Sequence, residues 1–174
     1  MVDIETLSTS IDAHVLTIGA VAFTPWGKIE DEFYVRISPK SCEDLNLKKS
    51  QDTLEFWKKQ SDEAQKEAFD PENRVSLSTA LQQFNLFWQK NNGKHFWCQG
   101  ANFDEPILSS LYEKLNMQKP WKFYNVRCLR TYLSVAGLKL SQVINSTSHN
   151  ALQDCKDQVD AFRCAFSTFQ KLIM

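Results

Sequence analysis

Residues 1–24 read MVDIETLSTSIDAHVLTIGAVAFT. Side chains of an extended chain alternate between faces, so on a strand over 2–6 Asp3 and Glu5 share one face while Val2 and Ile4 share the other. The two acids are then rooted roughly 7 Å apart. Residues 15–24 are rich in β-branched side chains and enclose Gly19, Pro25-Trp26-Gly27 supplies a turn, and IEDEFYVRI at 29–37 alternates. This pattern predicts a hairpin. Three strands thus fill the first forty positions, with the first central and the others antiparallel beside it. Two acids this near a terminus could also be no more than a solvated tail. A strand whose acids begin at residue 3 would be short, which predicts that it is continued by other means, is weakly anchored, or that the natural chain begins earlier.

Helical spacing takes over across 52–69, where Leu54, Trp57 and Phe56 form an apolar stripe and Ser61-Asp62-Glu63 opens a second short helix. A longer helix is predicted over 77–88 with Leu77, Leu81, Phe84 and Trp88 on one side. HFWCQG at 95–100 reads as a buried strand ending at Gly100, followed by a helix over 103–115 with Pro106 tolerated in its first turn. Residues 126–136 and 149–172 are read as two more helices, with His149 on the approach to the second. An antiparallel meander followed by helices and a strand gives a mixed sheet with helices packed on it, an α/β architecture of the ribonuclease-H type.

The chain of 174 residues fits a single domain spanning 1–174. With 43% hydrophobic and 24% charged residues it is globular in composition rather than disordered. A net charge of −1 and the lack of a dense basic run exclude binding by broad phosphate neutralisation, so any contact with nucleic acid must be local. Five scattered cysteines without a C-x-x-C pair argue against a zinc ribbon or a disulfide framework, and read as the reduced thiols of a cytoplasmic protein. The longest apolar run, VLTIGAVAF, is too short to span a bilayer, so no membrane partner is expected.

Besides Asp3 and Glu5, three residues stand at predicted element boundaries: Asp104 after the strand at 95–100, and His149 and Asp154 near the start of the last helix. Sites in α/β sheets are built at such boundaries. Each has an ordinary explanation. Asp104 would suit a helix dipole, with Asn102 as the cap, and Asp154 with Asp157 and Asp160 could be a solvated acidic run. Together they suggest more. Carboxylates converging from separate elements can hold two hard divalent ions, Mg²⁺ or Mn²⁺, about 4 Å apart for phosphodiester hydrolysis. A histidine titrating near 6.5 suits the removal of a proton from the attacking water.

In VDIET (2–6), GANFDEPIL (100–108) and HNALQD (149–154) the chain resembles the DEDDh group of 3′-to-5′ exonucleases. TLEFWKKQSDEA (53–64), PWKFYNVRCLRT (120–131) and the IGAVAF strand place it near the branch of the phage T4 exonuclease A and mycobacterial exoribonuclease-like domains. The resemblance implies a ribonuclease-H-like, five-stranded mixed sheet. It also implies that Asp3, Glu5, Asp104 and Asp154 bind two Mg²⁺ ions, which Mn²⁺ can replace, with Asp3 bridging both and His149 as general base. The substrate would be the 3′ end of single-stranded RNA or DNA, RNA slightly favoured, seated by main-chain groups near Thr6 and Leu7. Trp57, Phe103, Trp121, Phe123 and Tyr124 are candidates for stacking on bases, Trp121 and Phe123 foremost, and Arg127 and Arg130 for pairing with phosphate. The third motif departs from the branch at Gln153, where many relatives have an acid, and at Cys155, where a small alanine is usual. Two rivals remain: a ribonuclease-H-like module that binds without cutting, and a phosphatase with an aspartate nucleophile, whose D-x-D pattern Glu5 does not match.

Overall fold

The computed structural model describes residues 1–144 and 148–173, the last three by backbone alone. Strand β1 (Val2–Thr6) runs antiparallel to β2 (Val15–Phe23), and β2 runs antiparallel to β3 (Ile29–Ile37). Helices α1 (Pro39–Glu43), α2 (Gln51–Lys58) and α3 (Asp62–Phe69) lead to β4 (Arg74–Val75), which joins β3 in parallel. Helix α4 (Leu77–Lys90), β5 (Phe96–Cys98) and α5 (Asp104–Lys114) follow, then a 3₁₀ turn at Phe123–Asn125 and β6 (Val126–Cys128) parallel to β5. Helices α6 (Leu129–Val135), α7 (Leu140–Val143) and α8 (Ala151–Ile173) complete the chain.

The fold is mixed α/β, but its strands divide between a four-stranded sheet ordered β1-β2-β3-β4 and a two-stranded parallel sheet, β5-β6. The expectation that β1 is central among the first three strands is therefore corrected: β2 stands between β1 and β3, and the pairings described do not join β5 and β6 to this sheet. The physical reason lies at the outer edge of β1. There the Ile4 N–H donates to the Asp104 carboxylate, and the Thr6 carbonyl accepts from the Trp57 indole at 2.9 Å. Those groups are thereby withheld from a ladder, and β5 lies against β1 without a described pairing.

The hairpin forms where the turn residues place it. Gly27 has φ of 84°, the Gly27 N–H donates to the Thr24 carbonyl at 2.9 Å, and the Thr24 N–H donates to that of Lys28 at 2.9 Å. Helices α2, α3 and α4 begin at Ser50, Ser61 and Ser76, whose hydroxyls accept from the N–H three residues on. The expected helix over 126–136 is a correction: Val126–Cys128 is strand β6, and Cys128 keeps extended angles before α6 starts. Helix α5 starts after Phe103 rather than at an Asn102 cap. The short elements α1, β4 and α7 carry too few residues to show a period.

Strand β1 does not fray. The Val21 N–H donates to the Met1 carbonyl at 2.9 Å, Met1 N donates back to the Val21 carbonyl at 2.8 Å, and the Met1 side chain is buried. Pairing with β2 thus continues past Asp3, and weak anchoring of the strand is corrected.

Apolar side chains fill both faces of the main sheet. Ile4, Ile18, Ile37, Leu81, Phe84, Leu108 and Tyr112 pack on the side of α4 and α5, and Val21, Leu129, Cys155, Val159 and Phe162 on the side of α6 and α8. Helix α8 approaches β2 so closely that a Cβ on Gly19 would lie 2.3 Å from the Ala151 carbonyl carbon. Cys155 is fully buried, with its thiol 3.4 Å from the Gly19 carbonyl oxygen, which accommodates the departure from alanine at this position.

Gly19→Ala is expected to destabilise the protein by about 1–3 kcal/mol, because backbone must move to admit the methyl group. Urea unfolding measures this, and an unchanged midpoint would contradict the packing of α8 on β2.

Candidate active site

Asp3 and Glu5 project from the same face of β1, opposite Gly19 and Thr17 of β2. Asp104 is the first residue of α5, just after β5, and Asp154 lies in the first turn of α8. The three elements converge on a cleft of about 230 Å³ lined by all four acids and by His149, Phe103, Arg130, Asp157 and Gln158. Glu5 and Asp104 are buried at 8% and 4% exposure, unusual depths for carboxylates with no lysine or arginine ion-pair partner among the described residues. Carboxylate oxygens of Glu5 and Asp154 and a ring nitrogen of His149 lie within 4.8 Å of one another.

Each acid is oriented differently. The Asp154 carboxylate accepts from the Ser148 N–H at 3.0 Å and the Ser148 hydroxyl at 2.9 Å. Asp104 accepts from the backbone N–H groups of Ile4 and Gly100. Asp3 accepts from the Gln158 amide at 2.7 Å. Asn150 caps α8 by accepting from the N–H groups of Leu152 and Gln153 at 3.1 and 3.0 Å. His149, in the turn before that cap, has φ of 51°, and its ring meets those of Phe56 and Trp57 edge-on at 5.1 and 5.9 Å.

Burial in this cleft favours the neutral forms of Asp3, Glu5, Asp104 and Asp154. It raises Asp3 well above the usual carboxylate range, aided by the charges of Asp104, Glu5 and Asp154 and opposed by the Gln158 amide. It pushes Glu5 up to about 8, with the Asp154 and Asp104 charges acting in the same direction. Asp104 rises to about 7 through burial, held back by its backbone donors and the Arg130 guanidinium. Asp154 is raised by burial against the bonds from Ser148. Arg130 lines the cleft but cannot balance four carboxylates. A cluster of hard oxygen donors with unbalanced charge and one nearby imidazole fits a hard divalent cation, which would relieve both the repulsion and the desolvation.

All four acids and His149 thus meet at one cleft, and Phe103 and Arg130 line it too. The substrate-contact expectations fare differently. Trp121 is buried at 3% exposure among Phe84, Trp88, Phe96 and Tyr112, and its indole donates to Glu105 at 2.9 Å, so its ring belongs to the core. The Leu7 side chain is buried with Leu16 and Trp57. Its N–H donates to His14 and its carbonyl accepts from Ser50, both at 2.8 Å, so Leu7 offers no free main-chain group to a nucleotide. Thr6 is buried, with its hydroxyl donating to the Ser8 carbonyl. Trp57 is also core, whereas Phe123, at 80% exposure, is outside the cleft lining. Gln153 is exposed and donates to Asp157 at 2.8 Å, on the rim of the cleft, and is not itself in its lining. The residues missed were Ser148 and Gln158. Gln158 had a signal, since it follows Asp154 by one helical turn.

The model of the 3′-5′ exoribonuclease Rv2179c-like domain matches residues 1–166. The chain is 26% identical over 192 aligned positions to an exodeoxyribonuclease of Enterobacteria phage T4, covering 91% of this chain and 85% of that protein.

Glu5 carries a raised pKa in the folded state, so its contribution to stability is complete below the ordinary value of 4.5 and is lost as pH rises through about 8. With chelator present, the melting temperature is expected to fall across that interval. Glu5→Gln should flatten the fall and melt higher than wild type at the alkaline end, as read by thermal unfolding at a series of pH values.

Proposed function

The chain belongs to the family of Rv2179c-like 3′-5′ exoribonuclease domains, and from that premise we propose that it removes 5′-mononucleotides one at a time from the 3′ end of single-stranded nucleic acid. RNA is the favoured substrate, as the family description suggests, although the T4 relative is named as a deoxyribonuclease. The observation that carries this reading is the convergence of Asp3, Glu5, Asp104 and Asp154 from three elements on one cleft, with His149 beside two of them.

Asp3, Glu5, Asp104 and Asp154 would hold two Mg²⁺ ions, for which Mn²⁺ would substitute. Bound there, such ions supply charge neutralisation at the phosphate and a more acidic water. His149 would accept a proton from the attacking water as the water oxygen attacks phosphorus. The bond from phosphorus to the 3′ oxygen of the preceding nucleotide breaks, and that oxygen takes up a proton to become the new 3′ hydroxyl. The rings of Phe56 and Trp57 limit the swing of the imidazole, keeping it directed at the acids. Arg130 pairs with the phosphate, and Phe103, at the head of α5, offers a ring to the terminal base. The nucleotide's seat thus passes from Leu7 and Trp121 to these two residues. With a net charge of −1, little outside the cleft would retain a long strand, so hydrolysis is distributive.

Incubation with Mg²⁺ and a 3′-labelled oligomer is expected to release labelled mononucleotide. His149→Ala should reduce the rate by about 10²–10⁴-fold, and Asp154→Asn should abolish release. Full activity in either variant would contradict the assignment. Matched RNA and DNA oligomers, single- and double-stranded, test the substrate: faster release from single-stranded RNA supports the reading, and a preference for DNA would reverse that part of it.

A further inference from the structure

Gln158 follows Asp154 by one turn of α8 and projects from the same side of the helix. Its side chain is buried at 1% exposure and reaches the cleft, where Nε2 donates to Asp3 Oδ1 at 2.7 Å. The other end of the amide, Oε1, has no hydrogen-bond partner among the described residues. With Asp3 ionised, as a metal ligand must be, the bond to Asp3 decides which way round the amide sits, because the reverse orientation would press Oε1 against a carboxylate oxygen.

A buried acceptor without a partner weakens a fold. Leucine or methionine would occupy similar space without that defect, so packing alone does not account for an amide at 158. What the amide supplies is a fixed donor to one oxygen of an acid on another element. Asp104 is held by backbone N–H groups and Asp154 by Ser148, whereas Asp3 is held by a side chain that can be replaced without disturbing the backbone.

We propose that Gln158 is a positioning residue for the metal centre: by holding Asp3 Oδ1 it fixes the rotation of that carboxylate and leaves Oδ2 as the oxygen available to a divalent cation. The inference rests on the reading above, in which Asp3 is a metal ligand. The terminal torsion of an aspartate is soft, so an unheld carboxylate must be ordered when the cation binds. Loss of such a supporting bond typically weakens metal binding by about 10–100-fold. Helix α8 would then furnish one ligand directly and orient a second on β1, coupling the two elements at the cleft.

The test is calorimetric titration of the full chain with Mn²⁺, paired with thermal unfolding in EDTA, for wild type, Gln158→Leu, Gln158→Met and Asp3→Asn. Wild type is expected to bind Mn²⁺ and Asp3→Asn to lose most of that binding. Both Gln158 variants should bind about 10–100-fold more weakly while unfolding in EDTA at the wild-type temperature or above it. In the oligomer assay their kcat should recover at high Mn²⁺ with KM for the oligomer unchanged. Wild-type Mn²⁺ affinity in both variants would overturn the proposal. So would weakened binding accompanied by a lower unfolding temperature in both, since that pattern belongs to a structural role. If wild type itself fails to bind Mn²⁺, the metal reading falls and the proposal falls with it.

Discussion

The distance between α8 and β2 governs everything that gathers at the cleft, and Gly19 sets it. A side chain there would meet the backbone of Ala151, so only glycine lets the first turn of α8 rest directly on the strand. Asp3 pairs with Gly19 in the β1–β2 register, and Asp154 lies three residues beyond Ala151. The same contact therefore brings the acid of the last helix over the acids of the first strand. The Cys155 thiol, against the Gly19 carbonyl, and Gln158, bonded to Asp3, extend this contact along the helix.

The convergence has an electrostatic consequence. Four carboxylates enter a partly buried space where the single charge of Arg130 does not balance them, and burial drives their protonation equilibria upward. A fold selected for stability alone would place apolar or neutral groups there. The hydrogen bonds from Ser148, Ile4, Gly100 and Gln158 hold the carboxylates in place without neutralising them. That combination, rigid and still short of positive charge, distinguishes the cleft from a set of structural ion pairs such as Arg36 with Glu67.

Much of the fold was legible in local pattern. The hairpin followed from β-branched runs and Pro25-Trp26-Gly27, the start of α3 from Ser61-Asp62-Glu63, and the bodies of α2 and α4 from their apolar spacing. Strand β6 was not legible, because Val126-Arg127-Cys128 runs straight into a helical sequence, and pairing with β5 decides its conformation. The aromatic loop showed a second limit. PWKFYN looks like a binding loop, yet Glu105 on α5 takes the Trp121 indole and Lys119 ammonium and draws the tryptophan into the core.

By itself the sequence determined which residues carry charge, where the Pro25-Trp26-Gly27 turn falls, and that Asp3 and Glu5 share a face, because these depend on chemistry and on periods of a few residues. Only the tertiary structure decided that β2 rather than β1 separates its neighbours, that Leu7 and Trp121 are interior, and that Gln158 reaches Asp3. Asp3 and Gln158 are 155 positions apart. Contacts of that kind depend on how closely helices and strands approach one another, which is set by side chains remote in sequence rather than by any local period.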